Sequence, residues 1–147
     1  MITKILFPFD GSDESKKPFN HVLEIAKKFS ASVLLVHAYE NPKRVGIIAG
    51  EHGIDADFIE NTEENLISNG QYLINEIKDE IRQHNIKVET ALAKGDTGHA
   101  IVEIAEAEEC DLIIMCGKNS GIFERFFIGT ISDYVVNNTK IPTLLIH

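Results

Sequence analysis

Short apolar segments alternate with amphipathic segments along the whole of this 147-residue chain, and the alternation limits the folds available to it. The five apolar segments are 4–9, 32–37, 88–92, 111–115 and 141–146. Strands this apolar must be covered on both faces, and the segments between them carry the helical spacing that provides such cover. The pattern predicts an α/β fold: a doubly wound, five-stranded parallel sheet in a single domain spanning residues 1–147.

The segments between the strands indicate where the first helices begin. Ser12 or Asp13 is placed to cap a helix after the first strand, and its apolar stripe is Phe19, Val22, Leu23, Ala26 and Phe29. Asn61 with Glu64 three residues later resembles a capping box, which predicts the start of a long helix there. Residues 40–60 are rich in glycine and are predicted to form an irregular insertion.

The net charge of -9 restricts the partners of this chain. Lysines and arginines occur at most in adjacent pairs, so the chain lacks the basic stripe that favours duplex nucleic acid or anionic lipid. No apolar run approaches the roughly 20 residues that a membrane helix needs. The first ten residues predict a strand and not a signal peptide, because their apolar run is short and ends in Pro8 and Asp10. These features predict a cytoplasmic protein without nucleic acid or membrane insertion.

Cysteine and histidine usage predicts neither a disulfide nor a metal site. Cys110 and Cys116 stand at the two ends of a predicted strand, so their Cα atoms should lie about 20 Å apart, well beyond the roughly 7 Å limit for a disulfide. Two thiols at this spacing also make a poor zinc site. The six histidines are scattered along the chain. Free thiols of this kind agree with a cytoplasmic location.

Polar and glycine residues are concentrated after the first and fourth strands. Asp10-Gly11-Ser12 follows the first strand, and residues 117–121 follow the fourth, with Gly129-Thr130 at the expected start of the next helix. Ligands of parallel sheets bind outside the carboxyl ends of the strands, and a helix N-terminus offers free N–H groups to phosphate. The same residues also suit plain turns and a helix cap. The pattern alone therefore leaves both a phosphate site and an ordinary loop open.

Several enzyme classes are excluded by residue type. A Walker A motif is absent because no Lys-Ser or Lys-Thr pair completes residues 117–121, and Gly11 stands alone where a G-x-G-x-x-G would be needed. Response-regulator receivers need a lysine after the fifth strand, and none follows it before His147. The ATP pyrophosphatases remain the nearest enzyme relatives, although their signature S-G-G-x-D-S corresponds here to DGSDES, which lacks the double glycine. No catalytic residue is therefore predicted.

Four stretches of the chain together resemble one known family. They are PFDGS at 8–12, LLVHA at 34–38, KGDTGHAIVEIAEAEECDLIIM at 94–115 and IGTISDYVVNNTKIPTLLI at 128–146. In this joint pattern, over its whole length, the chain resembles the universal stress proteins. The resemblance implies the strand order 3-2-1-4-5 of the adenine nucleotide alpha-hydrolase-like fold, with a crevice between strands 1 and 4. The sequence by itself leaves the flavodoxin-like order 2-1-3-4-5 open.

The resemblance also implies a nucleotide site for ATP or AMP, with or without Mg²⁺. Nucleotide-binding members carry G-x2-G-x9-G-[S/T] after the fourth strand; aligned on Gly129-Thr130, this chain has Cys116 and Asn119 at the first two glycine positions. Asn tolerates positive φ better than other non-glycine residues, so Asn119 is expected to preserve the loop shape. Asp10 would accept a hydrogen bond from ribose or base, or help to hold a divalent cation, and Ala38 would pack near adenine. The implied site residues are Pro8, Phe9, Asp10, Ala38, Met115, Cys116, Lys118, Asn119, Gly129, Thr130, Ile131 and Ser132.

The function implied by the resemblance is that of a small cytoplasmic stress-response regulator that acts through nucleotide or through a regulatory protein partner. The segment 141–146 is apolar on both faces yet lies at the sheet edge in the implied order, which favours a homodimer paired through this strand. Because two family glycines are replaced, a dimeric interaction module without nucleotide remains a second hypothesis. A weak ATP hydrolase is the third.

Overall fold

A computed structural model of the protein describes residues 1–43, 56–117 and 131–147. In chain order its elements are β1 (Lys4–Pro8), α1 (Asp13–Lys16), α2 (Phe19–Phe29), β2 (Ser32–Tyr39), α3 (Ala56–Arg82), β3 (Val88–Lys94), α4 (Thr97–Ala107), β4 (Leu112–Cys116), α5 (Ile131–Asn138) and β5 (Thr143–Ile146). Strands and helices alternate as the apolar segments predicted. None of the helices in these ranges is long and apolar enough to cross a membrane.

The described strands form one parallel sheet in the order β3-β2-β1-β4-β5. This order confirms the fold implied by the resemblance and excludes the flavodoxin-like alternative. β1 lies in the middle, where Ile5 pairs with Val33 of β2 on one side and with Leu112 of β4 on the other. Because the strand order reverses at β1, a crevice opens between the carboxyl ends of β1 and β4.

Different helices cover the two faces of the sheet. On one face, the buried residues of α2 and α3 pack against strand residues that include Phe7, Val33 and Leu35. On the other face, α4 and α5 pack against Leu6 and Leu34. Successive strand residues point to opposite faces, so the even-numbered residues of β2 face α4 and the odd-numbered ones face α2 and α3. This alternation decides which residues of β2 can reach the crevice.

Pro18 divides the first predicted helix into α1 and α2, because proline has no N–H to continue the helical hydrogen bonds. Ser12 is the cap of α1, as predicted, and its hydroxyl accepts the N–H of Ser15 at 3.1 Å. The apolar stripe of α2 is buried at its centre, but the placement of Phe29 in the core was wrong, since that side chain is 43% exposed. Ten residues of helix place Phe29 about 80° away from Phe19.

The predicted start of the long helix at Asn61 was also wrong. α3 already begins at Ala56, so Asn61 and Glu64 lie inside the helix, and both are exposed. A capping pattern marks a helix start only where the preceding residues cannot continue the helix, and the residues before Asn61 can. The predicted irregular insertion was therefore wrong for residues 56–60, and its residues 44–55 lie outside the described ranges.

Candidate functional site

A cleft opens between the carboxyl ends of β1 and β4, on the face covered by α4 and α5. About 560 Å³ of space lies between its atoms, and part of that space is open to solvent. Its lining combines the ends of β1, β2 and β4 with the first turns of α1, α4 and α5. The described lining residues are Pro8, Phe9, Asp10, Ser15, Val36, Ala38, Thr97, Ile101, Met115, Cys116, Ile131 and Ser132.

The turn after β1 forms one rim of the cleft and is fixed by its own hydrogen bonds. The Asp10 carboxylate accepts the N–H of Ser12 at 2.8 Å. The Ser15 hydroxyl donates to the Ser12 carbonyl at 2.9 Å and accepts the N–H of Asp10 at 3.3 Å. Gly11 has a φ of +87°, a conformation that glycine adopts without strain. The sequence therefore builds a defined turn that holds Asp10 at the cleft.

Asp10 is ionised at neutral pH despite its partial burial. Burial alone raises the pKa of the carboxyl, but the hydrogen bonds from Ser12 and Ser15 favour the charged form, and the pKa lies below its ordinary value. The Cys116 thiol on the facing strand behaves in the opposite way. Its pKa is raised by burial and by the nearby Asp10 charge, so the thiol is neutral. The cleft thus presents a hydrogen-bond acceptor on β1 and a weakly polar side chain on β4.

The opposite rim is organised around Gly117, the residue that follows β4. Its N–H donates to the carbonyl of Ile146 at 2.8 Å, which extends the pairing of β4 with β5. Its carbonyl accepts the buried hydroxyl of Ser132 at 2.7 Å, which joins β4 to the first turn of α5. A side chain at position 117 would collide with the ring of His147. Glycine therefore leaves room for the His147 ring where the chain leaves β4, and a larger residue at this position would require that exposed side chain to move.

The third side of the cleft comes from the turn between β3 and α4. Gly95 has a φ of +109°, and its N–H donates to the carbonyl of Tyr39 at the end of β2. Asp96 then caps α4 by accepting the N–H of His99 at 2.9 Å. This places Thr97, the first residue of α4, in the lining of the cleft. The helix N-terminus therefore points toward the same space as the Asp10 turn.

The lining divides into an apolar floor and a polar rim. The floor consists of Val36, Ala38, Ile101, Met115 and Ile131. Hydroxyls and the Asp10 carboxylate form the rim, and Asp10 is the one charged side chain among the described lining residues. Within residues 1–43, 56–117 and 131–147, no group of three or more His, Cys, Asp or Glu side chains could hold a metal ion. This wall suits an uncharged, partly apolar ligand group with hydroxyls at its edge.

The structure brings eight of the residues implied by the resemblance into this one cleft. They are Pro8, Phe9, Asp10, Ala38, Met115, Cys116, Ile131 and Ser132. The other four, Lys118, Asn119, Gly129 and Thr130, lie outside the described residues. The part that each residue plays in binding stays a prediction.

Four further lining residues were not expected from the sequence: Ser15, Val36, Thr97 and Ile101. A signal for two of them was present. The Lys94-Gly95-Asp96 turn predicted a helix start, and a start beside the carboxyl end of β3 places Thr97 near the crevice once the strand order is known. Ser12 was predicted to cap the helix after β1, and Ser15 lies in the first turn of that helix, beside the carboxyl end of β1. Val36 and Ile101 carry no distinguishing signal, because apolar residues on strands and helices are usually core.

Comparison with known proteins agrees with this fold. The model of the universal stress protein family matches residues 1–147. Universal stress protein MJ0531 of Methanocaldococcus jannaschii is 30% identical over 144 residues, which is 97% of this chain and 81% of that protein.

Two solved structures resemble this chain over nearly its full length. A universal stress protein in complex with cAMP is 21% identical, with a TM-score of 0.69 and coverage of 99% of this chain and 97% of that chain. A universal stress protein family protein from Arabidopsis thaliana with AMP bound is 15% identical, with a TM-score of 0.69 and coverage of 98% and 90%. At these identities the structures show a common fold. With the match of the family model over the whole chain, this protein belongs to the universal stress protein family.

Proposed function

We propose that the protein binds an adenine nucleotide, ATP or AMP, in the cleft between β1 and β4, and acts as a regulator in a cytoplasmic stress response. The observation that carries this proposal is the cleft itself. It lies where the strand order reverses and combines an apolar floor with a rim of hydroxyls and one ionised carboxylate. The two free cysteines agree with a cytoplasmic location.

The described wall suits the nucleoside half of the ligand. A purine ring is flat and apolar on its faces, and the floor around Val36, Ala38 and Ile101 can bury it. Ribose hydroxyls are donors, and the ionised Asp10 carboxylate at the rim is an acceptor that strengthens such bonds. We therefore propose that the base lies on the floor and the sugar at the Asp10 turn.

The phosphates are then directed toward α5. The first residues of α5, Ile131 and Ser132, line the cleft, and the positive end of the helix dipole favours an anion there. No described lining residue is cationic. The family motif continues through Lys118, which would supply a positive charge, and through Asn119, Gly129 and Thr130. These four residues lie outside the described ranges, so phosphate binding by them stays a prediction from the sequence.

The relatives support the ligand class. One solved universal stress protein is complexed with cAMP and another carries bound AMP, and both ligands are adenine nucleotides. The lowered pKa of Asp10 makes that carboxylate a weak base, and weak ATP hydrolysis therefore stays a lesser alternative.

Titration calorimetry tests the proposal. AMP, ATP, and ATP with Mg²⁺ are titrated into the intact protein, and saturable binding is expected for at least one of them. Ala38→Leu should fill the floor and weaken binding about tenfold or more, whereas the matched change Ala107→Leu on the exposed end of α4 should not. Absence of heat with all three ligands at millimolar concentration would overturn the proposal and favour the interaction module.

The edge strand β5 favours a second, compatible function as a homodimeric module. Each residue of β5 is only half-buried, in contrast to the fully buried centre of β1, and Leu144, Leu145 and Ile146 are apolar. An apolar edge of this kind pairs readily with another strand, and the simplest partner is β5 of a second copy. Light scattering at tens of micromolar should give a dimer mass for the intact chain, and removal of residues 143–147 should abolish it. A monomer mass for the intact chain would contradict this arrangement.

A further inference from the structure

His37 lies on β2 between two residues of the cleft floor, but on the opposite face of the sheet. Val36 and Ala38 line the cleft, whereas the odd-numbered residues Val33 and Leu35 pack with α2 and α3. The half-buried ring of His37 belongs to this second face, where it lies against α3. It therefore cannot touch a ligand bound in the cleft.

The ring reaches the cleft indirectly, through the backbone of Phe9. Nδ1 of His37 lies 2.9 Å from the carbonyl oxygen of Phe9, and because a carbonyl only accepts, Nδ1 carries the proton. The N–H of Phe9 donates to the carbonyl of Val36, also at 2.9 Å. Adjacent residues of β2 thus hold both polar backbone groups of Phe9, the residue immediately before Asp10.

Helix α3 has a glycine at the position where the His37 ring packs against it. Gly70 is buried in the interior of α3, and a Cβ there would lie 2.7 Å from Cδ2 of His37 and 3.2 Å from its Nε2. Glycine is unfavourable inside a helix relative to alanine, so its presence needs a local reason, and the close ring supplies one. One turn further along α3, Leu73 lies against Gly11, where a Cβ would be 2.9 Å from Cδ2 of the leucine.

We propose that His37 is a positioning residue of the nucleotide cleft: it holds the Phe9 carbonyl, and with it the Asp10 turn, against α3, and Gly70 makes room for its ring. This inference rests on the proposed nucleotide binding. It joins three observations: a half-buried histidine with its Nδ1–H on a backbone carbonyl, a glycine inside a long helix, and a rim turn packed on that helix. α3 therefore supports the Asp10 turn by packing against it, although no residue of α3 is among the described lining residues.

The test compares His37→Leu, which removes the donor, with His37→Asn, whose amide N–H can replace Nδ1–H. The matched control is His84→Leu, at an exposed histidine of the opposite sheet end. AMP and ATP affinities are measured by calorimetry, and amide hydrogen exchange at Ser12 and Asp10 reports the order of the turn. We expect His37→Leu to weaken binding about five- to tenfold and to speed exchange at both amides. His37→Asn should stay within about threefold of the parent, and His84→Leu should match the parent.

A second pair of variants tests the packing. Gly70→Ala should weaken binding in the parent, because the new methyl group displaces the His37 ring. In the His37→Ala background the same change should lower the urea midpoint less than it does in the parent, since the ring is gone and, of the nearest atoms, Leu92 Cδ2 at 3.2 Å remains. Ser68→Ala, at an exposed position of α3, is the control and should leave affinity unchanged.

The outcomes separate the two proposals. Equal affinity and equal exchange in His37→Leu and the parent would overturn the positioning role while leaving nucleotide binding intact. Failure of His37→Asn to restore affinity and exchange would also overturn it, because the effect would then be one of packing alone. If the parent binds no nucleotide, the proposed function fails and the role of His37 in binding fails with it; the exchange result then decides only whether His37 orders the turn.

Discussion

The two ends of the sheet each carry an aspartate beside a central strand, and the two residues do different things. At the amino end, one carboxylate oxygen of Asp111 accepts the N–H and the hydroxyl of Thr3, both at 2.7 Å, and the N–H of Lys4 at 3.0 Å. The Lys4 ammonium lies 2.8 Å from Glu108 and 3.4 Å from Glu89. This network closes the end where β1 and β4 start.

At the carboxyl end, Asp10 accepts a hydrogen bond within its own turn and lines an open cleft. The carboxylate there fixes a rim, whereas Asp111 ties two strands together. The difference shows that the role of an aspartate beside a strand depends on which groups donate hydrogen bonds to it: groups of another strand for Asp111, and its own turn for Asp10. Stability should therefore depend mainly on the amino end and ligand affinity mainly on the carboxyl end.

The two cysteines at the ends of β4 provide the largest expected contrast. Burial raises the pKa of Cys110 to about 11, and its side chain is 5% exposed. Cys116 lines the cleft, although burial raises its pKa as well. At pH 8, iodoacetamide should label Cys116 before Cys110. Because the thiolate is the reactive form, a pKa of about 11 should make Cys110 react about a hundredfold more slowly than an ordinary thiol.

Mass spectrometry of the labelled protein locates the modified thiol. Nucleotide should protect Cys116 and leave the slow labelling of Cys110 unchanged. Equal labelling rates for both thiols in the folded protein would show that the amino end of the sheet is as open as the cleft. The contrast drawn between the two ends would then be wrong.

The two aspartates give the next contrast. Asp111→Ala should lower the free energy of unfolding by about 1–2 kcal/mol, a range that allows for its partial exposure, and should leave nucleotide affinity near that of the parent. Asp10→Ala should weaken nucleotide binding about tenfold through loss of the charged acceptor and of the turn. Urea denaturation and calorimetry on the same preparations measure both quantities. A larger loss of affinity in Asp111→Ala than in Asp10→Ala would reverse the assignment of the two ends.

The smallest expected effect is the pH dependence of stability. Hydrogen bonds from Thr3 and Lys4 hold the pKa of Asp111 below its ordinary value, and the Asp10 pKa is lowered as well. A carboxyl with a lowered folded-state pKa contributes stability that is complete above the unfolded value of about 3.9 and is lost as the pH falls through the folded-state pKa. The stability difference between parent and Asp111→Asn should therefore be constant at pH 5–7 and shrink below pH 4. A difference that persists unchanged at pH 2 would contradict an ionised Asp111.

Much of the fold was predictable because it follows from local patterns. Apolar strand segments and helical stripes predicted every described strand, and the family resemblance supplied the strand order that the sequence alone left open. The errors arose where a local pattern had a competitor. Pro18 divided one predicted helix into two, and the residues before Asn61 could already form helix.

The site was predictable only in part, because a cleft is made by elements that meet in space. Asp10 and Cys116 are marked by their places after strands, whereas Thr97 and Ile101 become visible only once α4 is placed over the sheet. The contact between His37 and Gly70 joins positions on separate elements, and neither residue has a local pattern that signals it.

The central place of β1 has a consequence for how the protein folds. β1 and β2 are neighbours along the chain, but the pairing of Ile5 with Leu112 joins residues about one hundred positions apart. Closing so long a segment is slow relative to local pairing, so we expect β1, β2 and β3 to associate first and β4 to dock later. The cleft between β1 and β4 exists only after that last step. During synthesis on the ribosome, the protein would therefore acquire most of its sheet before it acquires the cleft proposed to bind nucleotide.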